Sequence, residues 1–442
     1  MPRKAKKESA DFRYETGAAR VPWAAVGELM RPDDVGELVR FLLPSAAGKK
    51  RAYEARFRRV VEDLKKLCSL GGCAGKLTLG GRVQALEKTI ARMLRVKHVL
   101  FVANATAGFE IAYKFAGLKP GDEVIAPAIT FIASIAYPLS IGAKVVLADV
   151  DERTVNLDPR DVAKKVTRKT KVIMPVHIGG YPVDMDPIMQ LARRRKITVI
   201  EDAAHAFGGV YKGRNLGCIG HFGAFSFHEV KNVTALGEGG ILVSNLACGK
   251  DFGKSRFLGL DMSRQIRYWL YDVVALKGMG DFFAPGNHSA TEIQAVGLAS
   301  QTRRLRRIIA KRKKAETYLT RRFRKEEGLI PPPGDTAKIK STHHLYLLRV
   351  DPEKVGADVQ VLKKKLSDRG VVNVPHFAPL YKFSIMKQLG YDTRRIEKTC
   401  PVAERVFRHE FTHLPLYDLS PAQLRYMADA VIDSLNEMKN GR

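Results

Sequence analysis

The segment Ile197-Thr-Val-Ile-Glu-Asp202-Ala-Ala-His205 decides the fold class, because it joins an apolar run to an acidic side chain. The apolar run predicts a buried strand. Asp202 then stands at the carboxyl end of that strand, where open α/β sheets bind their ligands. A carboxylate buried there needs a cationic or hydrogen-bonding partner, and the protonated ring nitrogen of a cofactor is one such partner. The alternative is that Asp202 caps a following helix.

Similar apolar runs recur on both sides of this segment, and most are followed by a turn and a helical pattern. Such an alternation indicates a largely parallel sheet covered by helices on both faces. An amphipathic helix with apolar residues at helical spacing precedes the first run, starting near Val83. The predicted strands are Val99–Ala103, Glu123–Ala128, Lys144–Val150, Lys171–His177, Ile197–Asp202, Gly223–Phe227 and Gly240–Ser244.

The pattern changes after the break at Pro331-Pro-Pro-Gly334, where a second, smaller α+β domain is predicted. Its predicted elements are a strand at His343–Val350, a helix at Ala357–Asp368, a strand at Val371–Val374 and a helix that starts at Ser420-Pro421. We therefore divide the chain into three parts. They are an N-terminal extension with a helix at Arg51–Leu67 (1–75), a large domain (76–302), and a long helix with the small C-terminal domain (303–442).

The composition excludes several classes of protein. Of 442 residues, 45% are hydrophobic and 27% are charged, which is ordinary globular usage and excludes global disorder. The sequence has no apolar run long enough for a membrane span, and its basic start lacks the apolar region of a secretory signal. Five cysteines argue against a disulfide framework, and the pair Cys68 and Cys73 lacks a histidine partner for zinc. We expect a cytoplasmic protein with no metal site.

The formal charge of +29 is unusual, and its densest block runs from Arg303 to Lys325. An excess of this size can mark binding of nucleic acid or of anionic substrates, or only a solvated surface. Apolar residues recur in the block near helical spacing, together with Arg312, so most of its bases cover the outer face of a long helix. Because no nucleic-acid-binding module accompanies the block, a nucleic-acid partner is not expected.

A candidate phosphate site follows the first predicted strand, in the sequence Val99-Leu-Phe-Val-Ala-Asn-Ala-Thr-Ala-Gly-Phe109. The small residues lead into a helix, whose first amide groups and the Thr106 hydroxyl can bind an anion with help from the helix dipole. An ordinary turn from strand to helix is the alternative.

A candidate nucleophile follows the sixth predicted strand, in Phe225-Ser-Phe-His-Glu-Val-Lys231-Asn, shortly before Gly237-Glu-Gly-Gly240. A lysine held in a dry, glycine-framed turn has a lowered pKa and can attack a carbonyl group as an amine. The alternative is a solvated surface lysine. The order of features decides between the two, because a phosphate cradle, an acidic strand end and a lysine are what pyridoxal 5'-phosphate (PLP) requires.

On these segments the sequence resembles the DegT/DnrJ/EryC1/StrS family of PLP-dependent sugar aminotransferases. The resemblance runs from about Gly80 to the C-terminus. It implies fold type I, the aspartate aminotransferase-like fold, with a large domain of mostly parallel sheet and a smaller C-terminal α+β domain. The matching segments are Pro120-Gly-Asp-Glu-Val-Ile, Thr130-Phe-Ile-Ala-Ser, Glu201-Asp-Ala-Ala-His-Ala, Phe225-Ser-Phe-His-Glu-Val-Lys-Asn, Gly237-Glu-Gly-Gly, Thr291-Glu-Ile-Gln-Ala, His344-Leu-Tyr and Pro401-Val-Ala-Glu-Arg.

The resemblance also implies a role for each candidate residue. Lys231 is expected to hold PLP as a Schiff base and to shuttle the proton, and Asp202 to pair with the pyridine nitrogen. The expected cofactor contacts are His205 at the phenolic oxygen edge, Phe131 on the ring face, Ala105, Thr106 and Ser226 on the phosphate, and Asn287 from the neighbouring subunit of a homodimer.

Two segments depart from the pattern of the family. Ala105 stands where relatives have a glycine, which would constrain the backbone, and Asn287-His-Ser-Ala290 lacks a basic side chain that relatives often have. A dehydratase branch of the family has a histidine in place of the Schiff-base lysine. Lys231 therefore favours amino transfer.

The predicted activity is transfer of an amino group from glutamate or glutamine to a keto-sugar, nucleotide-linked in most of the family, or to a keto-cyclitol. Two alternatives stay open at this point: PLP-dependent dehydration or epimerisation of a sugar, and a regulatory or nucleic-acid-binding member of the fold. Of His343, His344 and His376, only His376 is kept as a candidate for substrate binding.

Overall fold

The structure is a computed structural model that describes residues 30–72, 77–260, 273–373 and 377–441. The strands are β1 (His98–Val102), β2 (Glu123–Pro127), β3 (Lys144–Ala148), β4 (Thr170–Ile173), β5 (Thr198–Asp202), β6 (Val210–Tyr211), β7 (Arg214–Asn215), β8 (Phe222–Ser226), β9 (Gly240–Ser244), β10 (Leu276–Lys277), β11 (Phe282–Phe283), β12 (Leu329–Ile330), β13 (Ile339–Lys340), β14 (Tyr346–Val350) and β15 (Phe411–Leu414). The helices are α1 (Pro32–Leu42), α2 (Lys50–Gly71), α3 (Gly81–Leu94), α4 (Ala105–Phe115), α5 (Ala136–Ser140), α6 (Pro159–Lys165), α7 (Met185–Arg195), α8 (Phe252–Arg256), α9 (Glu292–Thr302), α10 (Leu305–Phe323), α11 (Pro352–Val355), α12 (Val359–Asp368), α13 (Ser384–Gln388), α14 (Thr393–Lys398), α15 (Pro401–Arg405) and α16 (Pro421–Asn440).

Within these residues, seven strands form one sheet in the order β1-β9-β8-β5-β4-β2-β3. The pairs β2–β3, β2–β4, β4–β5 and β5–β8 are parallel, whereas β9 is antiparallel to both of its neighbours. Each strand lies at one of the seven predicted apolar runs, although β4 ends at Ile173 and does not reach His177. The prediction of a largely parallel sheet is confirmed.

The sheet is buried on both faces, as its continuous apolar strands predicted. In β5, Val199 belongs to one apolar cluster with Ile90 of α3, and the next residue, Ile200, belongs to another with Phe109 of α4. All four side chains are almost completely buried. Successive side chains of a strand point to opposite faces, so each strand joins two layers of core.

The topology brings most strand ends to one edge of the sheet. Because β9 is antiparallel to both β1 and β8, these two strands run in the same direction as β5, β4, β2 and β3. The segments that follow β1, β2, β5 and β8 therefore meet at the carboxyl edge. All but one of the candidate cofactor residues predicted from the sequence lie at the ends of these strands or in these segments.

The C-terminal part has an apolar core of its own around the antiparallel sheet β12-β14-β15, with α10, α12 and α16 packed on it. The helix predicted from Ser420-Pro421 is confirmed, and its start is a capping box between Ser420 and Gln423. The predicted strand Val371–Val374 is wrong over 371–373, which form no strand, and Val374 lies outside the described residues. The segment that carries α13 to α15 instead packs on the core of the large sheet, through Tyr381 and Met386.

Helices α1 and α2 form the described part of the N-terminal extension. They pack on each other, and Arg40 of α1 makes a 2.7 Å ion pair with Glu54 of α2. The predicted helix Arg51–Leu67 lies within α2. The division of the chain at 75 and 302 stays a prediction.

Among the helices of the described ranges, none combines the length and the apolar character that a transmembrane segment requires.

Candidate active site

A cavity of about 550 Å³ opens at the carboxyl edge of the sheet, between the large sheet and residues of the C-terminal part. It gathers most of the side chains that the sequence singled out. The predicted residues that line it are Ala105, Thr106, Phe131, Asp202, His205, Ser226 and Lys231. His376 lies outside the described residues. Asn287 does not line the cavity of its own chain; it is exposed and forms an isolated bridge with Phe257.

The phosphate cradle is the start of α4, immediately after β1. The side chain of Asn104 caps this helix, since its Oδ1 accepts a 2.9 Å hydrogen bond from the N–H of Ala107. The N–H groups of Ala105 and Thr106 come before the first hydrogen bonds within the helix, so they are available to an anion. Ala105 is the first residue of the helix and has no positive φ, so its side chain fits this backbone conformation without strain.

A glycine of β9 makes room for this cradle. Gly240 packs against the peptide between Asn104 and Ala105, and a Cβ at this position would lie 2.2 Å from the carbonyl carbon of Asn104. The glycines predicted to frame the site therefore include one that the close approach of two backbones requires.

Asp202 ends β5, and its side chain is buried. Its Oδ2 accepts a 2.6 Å hydrogen bond from Ser134, and its Oδ1 accepts a 3.0 Å bond from the N–H of Ala204. Burial raises the pKa of Asp202, and these hydrogen bonds to the charged form oppose the rise. Residues 203–209, all described, form turns and no helix, so the interpretation of Asp202 as a helix cap is wrong.

Lys231 lies in the turn after β8, where its N–H donates to the carbonyl of His228 at 2.9 Å. Its half-buried side chain lines the same cavity as Asp202. Burial lowers the pKa of the Lys231 ammonium to about 8, and the carboxylates of Asp202 and Glu238 partly oppose this shift. A substantial fraction of the amine is therefore neutral and nucleophilic near physiological pH.

Two aromatic side chains shape the wall around the amine. The Phe131 side chain is 58% exposed, and it presents this apolar area to the cavity. The His205 ring lies 4.4 Å from the His344 ring and is stacked on Phe377 at 5.7 Å. His205 Nδ1 accepts a hydrogen bond from the N–H of Gly179 at 3.3 Å, which leaves Nε2 to carry the proton of the neutral ring.

Sequence reasoning missed four residues that build the site. Ser134 holds Asp202, although it ends the quoted segment Thr130-Phe-Ile-Ala-Ser. Asn232, which follows Lys231, accepts a 2.9 Å hydrogen bond from His344 Nδ1. Arg312 and His344 both line the cavity. A signal existed for both: Arg312 falls near the apolar positions of its helix, and His344 begins the quoted segment His344-Leu-Tyr.

The residues at this cavity fit PLP. Free helix amides and the Thr106 and Ser226 hydroxyls suit its phosphate, a buried carboxylate suits its ring nitrogen, and an amine of lowered pKa suits its aldehyde. Within the ranges that the structure describes, no group of three or more His, Cys, Asp or Glu side chains is arranged to hold a metal ion. Fold and site together define an α/β enzyme of the PLP-dependent class.

A family model confirms this class and narrows it. The model of the DegT/DnrJ/EryC1/StrS aminotransferase family matches residues 64–432, and the chain belongs to this family. It is therefore a PLP-dependent aminotransferase of fold type I, as the sequence predicted.

Individual relatives are similar over most of their length. The spore coat polysaccharide biosynthesis protein SpsC of Bacillus subtilis is 33% identical over 380 residues, which cover 83% of this chain and 92% of that protein. The solved structure of 3-amino-5-hydroxybenzoic acid synthase has a TM-score of 0.73 at 28% identity, covering 82% of this chain and 93% of that one. A Streptococcus pneumoniae protein solved in its PLP form has a TM-score of 0.72 at 28% identity, covering 83% and 94%.

Proposed function

We propose that this aminotransferase moves an amino group from glutamate or glutamine to a keto-sugar or to a keto-cyclitol. Of these acceptors, a keto-sugar linked to a nucleotide is the one that we expect. The observation that carries the proposal is that Lys231 and Asp202 line one cavity next to a free helix N-terminus. A role in polysaccharide or aminosugar biosynthesis is supported by the similarity to SpsC, a protein of spore coat polysaccharide biosynthesis.

The chemistry divides between the cofactor and the chain. PLP, when bound, supplies an electron sink for the bonds around the reacting carbon. Asp202, whose charged form the hydrogen bond from Ser134 favours, would pair with the ring nitrogen and keep a proton on it. The Lys231 amine would hold the aldehyde carbon of the cofactor and, when free, would move a proton between the substrate carbon and the cofactor C4′.

The remaining residues position the group. We assign the phosphate to the amides of Ala105 and Thr106 and to the Ser226 hydroxyl, and the ring face to Phe131. His205, with a proton on Nε2, would donate to the phenolic oxygen edge of the cofactor. These assignments rest on the placement of all five side chains around one cavity.

We further propose a homodimer in the cytoplasm, in which Asn287 of a second copy reaches the phosphate. The exposure of Asn287 outside its own cavity is compatible with this arrangement. His376 is proposed at the substrate entrance, where its neighbour Phe377 lines the cavity. The excess of 75 Lys and Arg over 46 Asp and Glu would steer an anionic nucleotide-sugar towards the protein.

The test is nitrogen transfer by the purified protein loaded with PLP. Glutamate labelled with ¹⁵N and a panel of nucleotide-linked keto-sugars are supplied, and the products are identified by mass spectrometry. The proposal expects a labelled amino-sugar from the wild type and none from Lys231→Ala. Loss of a sugar hydroxyl or inversion of a sugar centre without transfer of ¹⁵N would contradict it.

A further inference from the structure

Arg312 differs from the other bases of α10. Most of the arginines and lysines of this helix are exposed, whereas the Arg312 side chain is half-buried and lines the cavity. Its Nη1 donates a 3.1 Å hydrogen bond to the backbone carbonyl of His344, which fixes the direction of the guanidinium. The helix thus places one guanidinium at the cavity that Lys231 also lines.

This charge has no acidic partner among the described residues. Other buried arginines of the molecule are paired, Arg256 with Glu87 and Arg349 with Glu410. Burial lowers the pKa of Arg312 to about 10, and no carboxylate opposes the shift. A guanidinium withdrawn from water without a counter-charge is costly, so an anion supplied from outside would gain strongly by binding it.

The position of Arg312 indicates which anion. Arg312 donates to the backbone carbonyl of His344, and the His344 ring donates from Nδ1 to Asn232, the residue after Lys231, at 2.9 Å. One residue of the cavity wall therefore contacts both the guanidinium and the loop that carries the amine. Burial lowers the pKa of His344, and the charges of Lys231 and Arg312 add to this shift. His344 therefore stays neutral and does not compete for a negative charge. In any amino acid the α-carboxylate is bonded to the carbon that reacts at Lys231, whereas a whole sugar separates a nucleotide diphosphate from the reacting carbonyl.

We propose that Arg312 is the residue that binds the α-carboxylate of the amino donor. The inference rests on the proposed function only in that an amino acid is the donor. A guanidinium and a carboxylate form two parallel charge-assisted hydrogen bonds, which orient the donor as well as hold it. The same site would release the keto acid after the first half-reaction and leave the cavity to the acceptor.

The experiment compares Arg312→Gln and Arg312→Lys with the wild-type holoenzyme. Arg306→Gln is the matched control, since Arg306 is exposed on the same helix. Calorimetry measures the dissociation constants of glutarate, a dicarboxylate with no amine to react, and of uridine diphosphate. The KM of glutamate and of glutamine is measured separately from kcat. Cofactor absorbance and thermal melting establish that each variant is folded and loaded.

Arg312→Gln loses one charge-assisted pair. We therefore expect the dissociation constant of glutarate and the KM of both donors to rise about 10- to 100-fold in this variant. Arg312→Lys should restore part of this loss. In Arg306→Gln every constant should change less than about threefold, and in all variants the dissociation constant of uridine diphosphate should change as little. Weakened uridine diphosphate binding with unchanged glutarate binding would overturn the inference, and so would a fall in kcat alone. A wild type that binds no glutarate also overturns it. Failure of the wild type to aminate any keto-sugar would instead count against the proposed function, while glutarate binding still decides the role of Arg312.

Discussion

Ser134 donates a 2.6 Å hydrogen bond to the buried carboxylate of Asp202, and its hydroxyl in turn lies 3.0 Å from that of Thr130. Because the single hydrogen of Ser134 is used on Asp202, Thr130 must donate to Ser134. This chain of hydroxyl groups joins the segment after β2 to the end of β5. It stabilises the charged form of a carboxylate whose pKa burial otherwise raises.

Ser134→Ala removes this support and should weaken the site more than the fold. We expect a loss of about 1–3 kcal/mol in the free energy of unfolding, because an acceptor on a buried carboxylate becomes unsatisfied. The pKa of Asp202 should rise further, so PLP should bind less tightly and kcat should fall. Equilibrium dialysis with PLP and steady-state kinetics measure these effects. Ser140→Ala is the control, since Ser140 is exposed and its hydroxyl donates to the carbonyl of Tyr137 within its own helix. Equal effects in both variants would contradict the assigned role.

The lowered pKa of Lys231 predicts how cofactor capture depends on pH. Below a pKa of about 8 the ammonium is protonated and cannot attack the aldehyde. The rate at which the cofactor-free protein captures PLP should therefore rise about tenfold per pH unit below this value and level off above it. Borohydride reduction at timed intervals, followed by mass spectrometry of the Lys231 peptide, measures the rate.

Glu238→Gln provides a sharper form of the same test. The Glu238 carboxylate raises the pKa of Lys231, so its removal should move the midpoint of the capture profile to lower pH. Glu229→Gln, at an exposed position of the same loop, should leave the midpoint in place. A midpoint that stays near the ordinary value for lysine in all three proteins would show that the amine is solvated.

Gly240→Ala should disrupt the phosphate cradle. A Cβ at this position would meet the backbone of Asn104 at 2.2 Å, so β9 and the start of α4 must separate. Overpacking of this kind costs about 1–3 kcal/mol or more, and the affinity for PLP should fall with it. Gly253→Ala in α8 is the control, because among the described residues no atom outside its chain neighbours and its own helix backbone lies within 4 Å of the added Cβ. Thermal melting and cofactor titration of both variants test the contrast, and a Gly240→Ala protein as stable as the control would refute it.

The sequence predicted the sheet better than it predicted the site, for a physical reason. A run such as Val124–Ala128 is apolar throughout because both faces of the sheet are covered, and that pattern is local. Val371–Val374 has three valines, the residue type that favours strands, yet residues 371–373 pair with no strand. The contacts of Ser134 and Arg312 join residues 68 and 32 positions apart, and no local pattern encodes such pairings.

Glu201 is adjacent to Asp202 in β5 and supports the loop on the opposite side. Its Oε1 accepts hydrogen bonds from the N–H groups of Ile219 and Gly220 at 2.5 and 2.6 Å. Its Oε2 accepts a 2.9 Å bond from the N–H of Gly217 and lies 2.9 Å from His177 Nε2. Each oxygen of this fully buried carboxylate therefore faces two donors, one of them His177 Nε2.

His177 carries its hydrogen on Nε2, because its Nδ1 accepts a 3.1 Å hydrogen bond from the N–H of Val183. In Glu201→Gln, either orientation of the amide places its NH₂ group against two donors. We expect a loss of about 3–5 kcal/mol in the free energy of unfolding, measured by urea denaturation, against almost none for the exposed Glu229→Gln. Because Glu201 does not line the cavity, kcat per folded molecule should stay within a few-fold of the wild type. A stable but inactive Glu201→Gln protein would mean that this carboxylate acts in the chemistry and not in holding the loop.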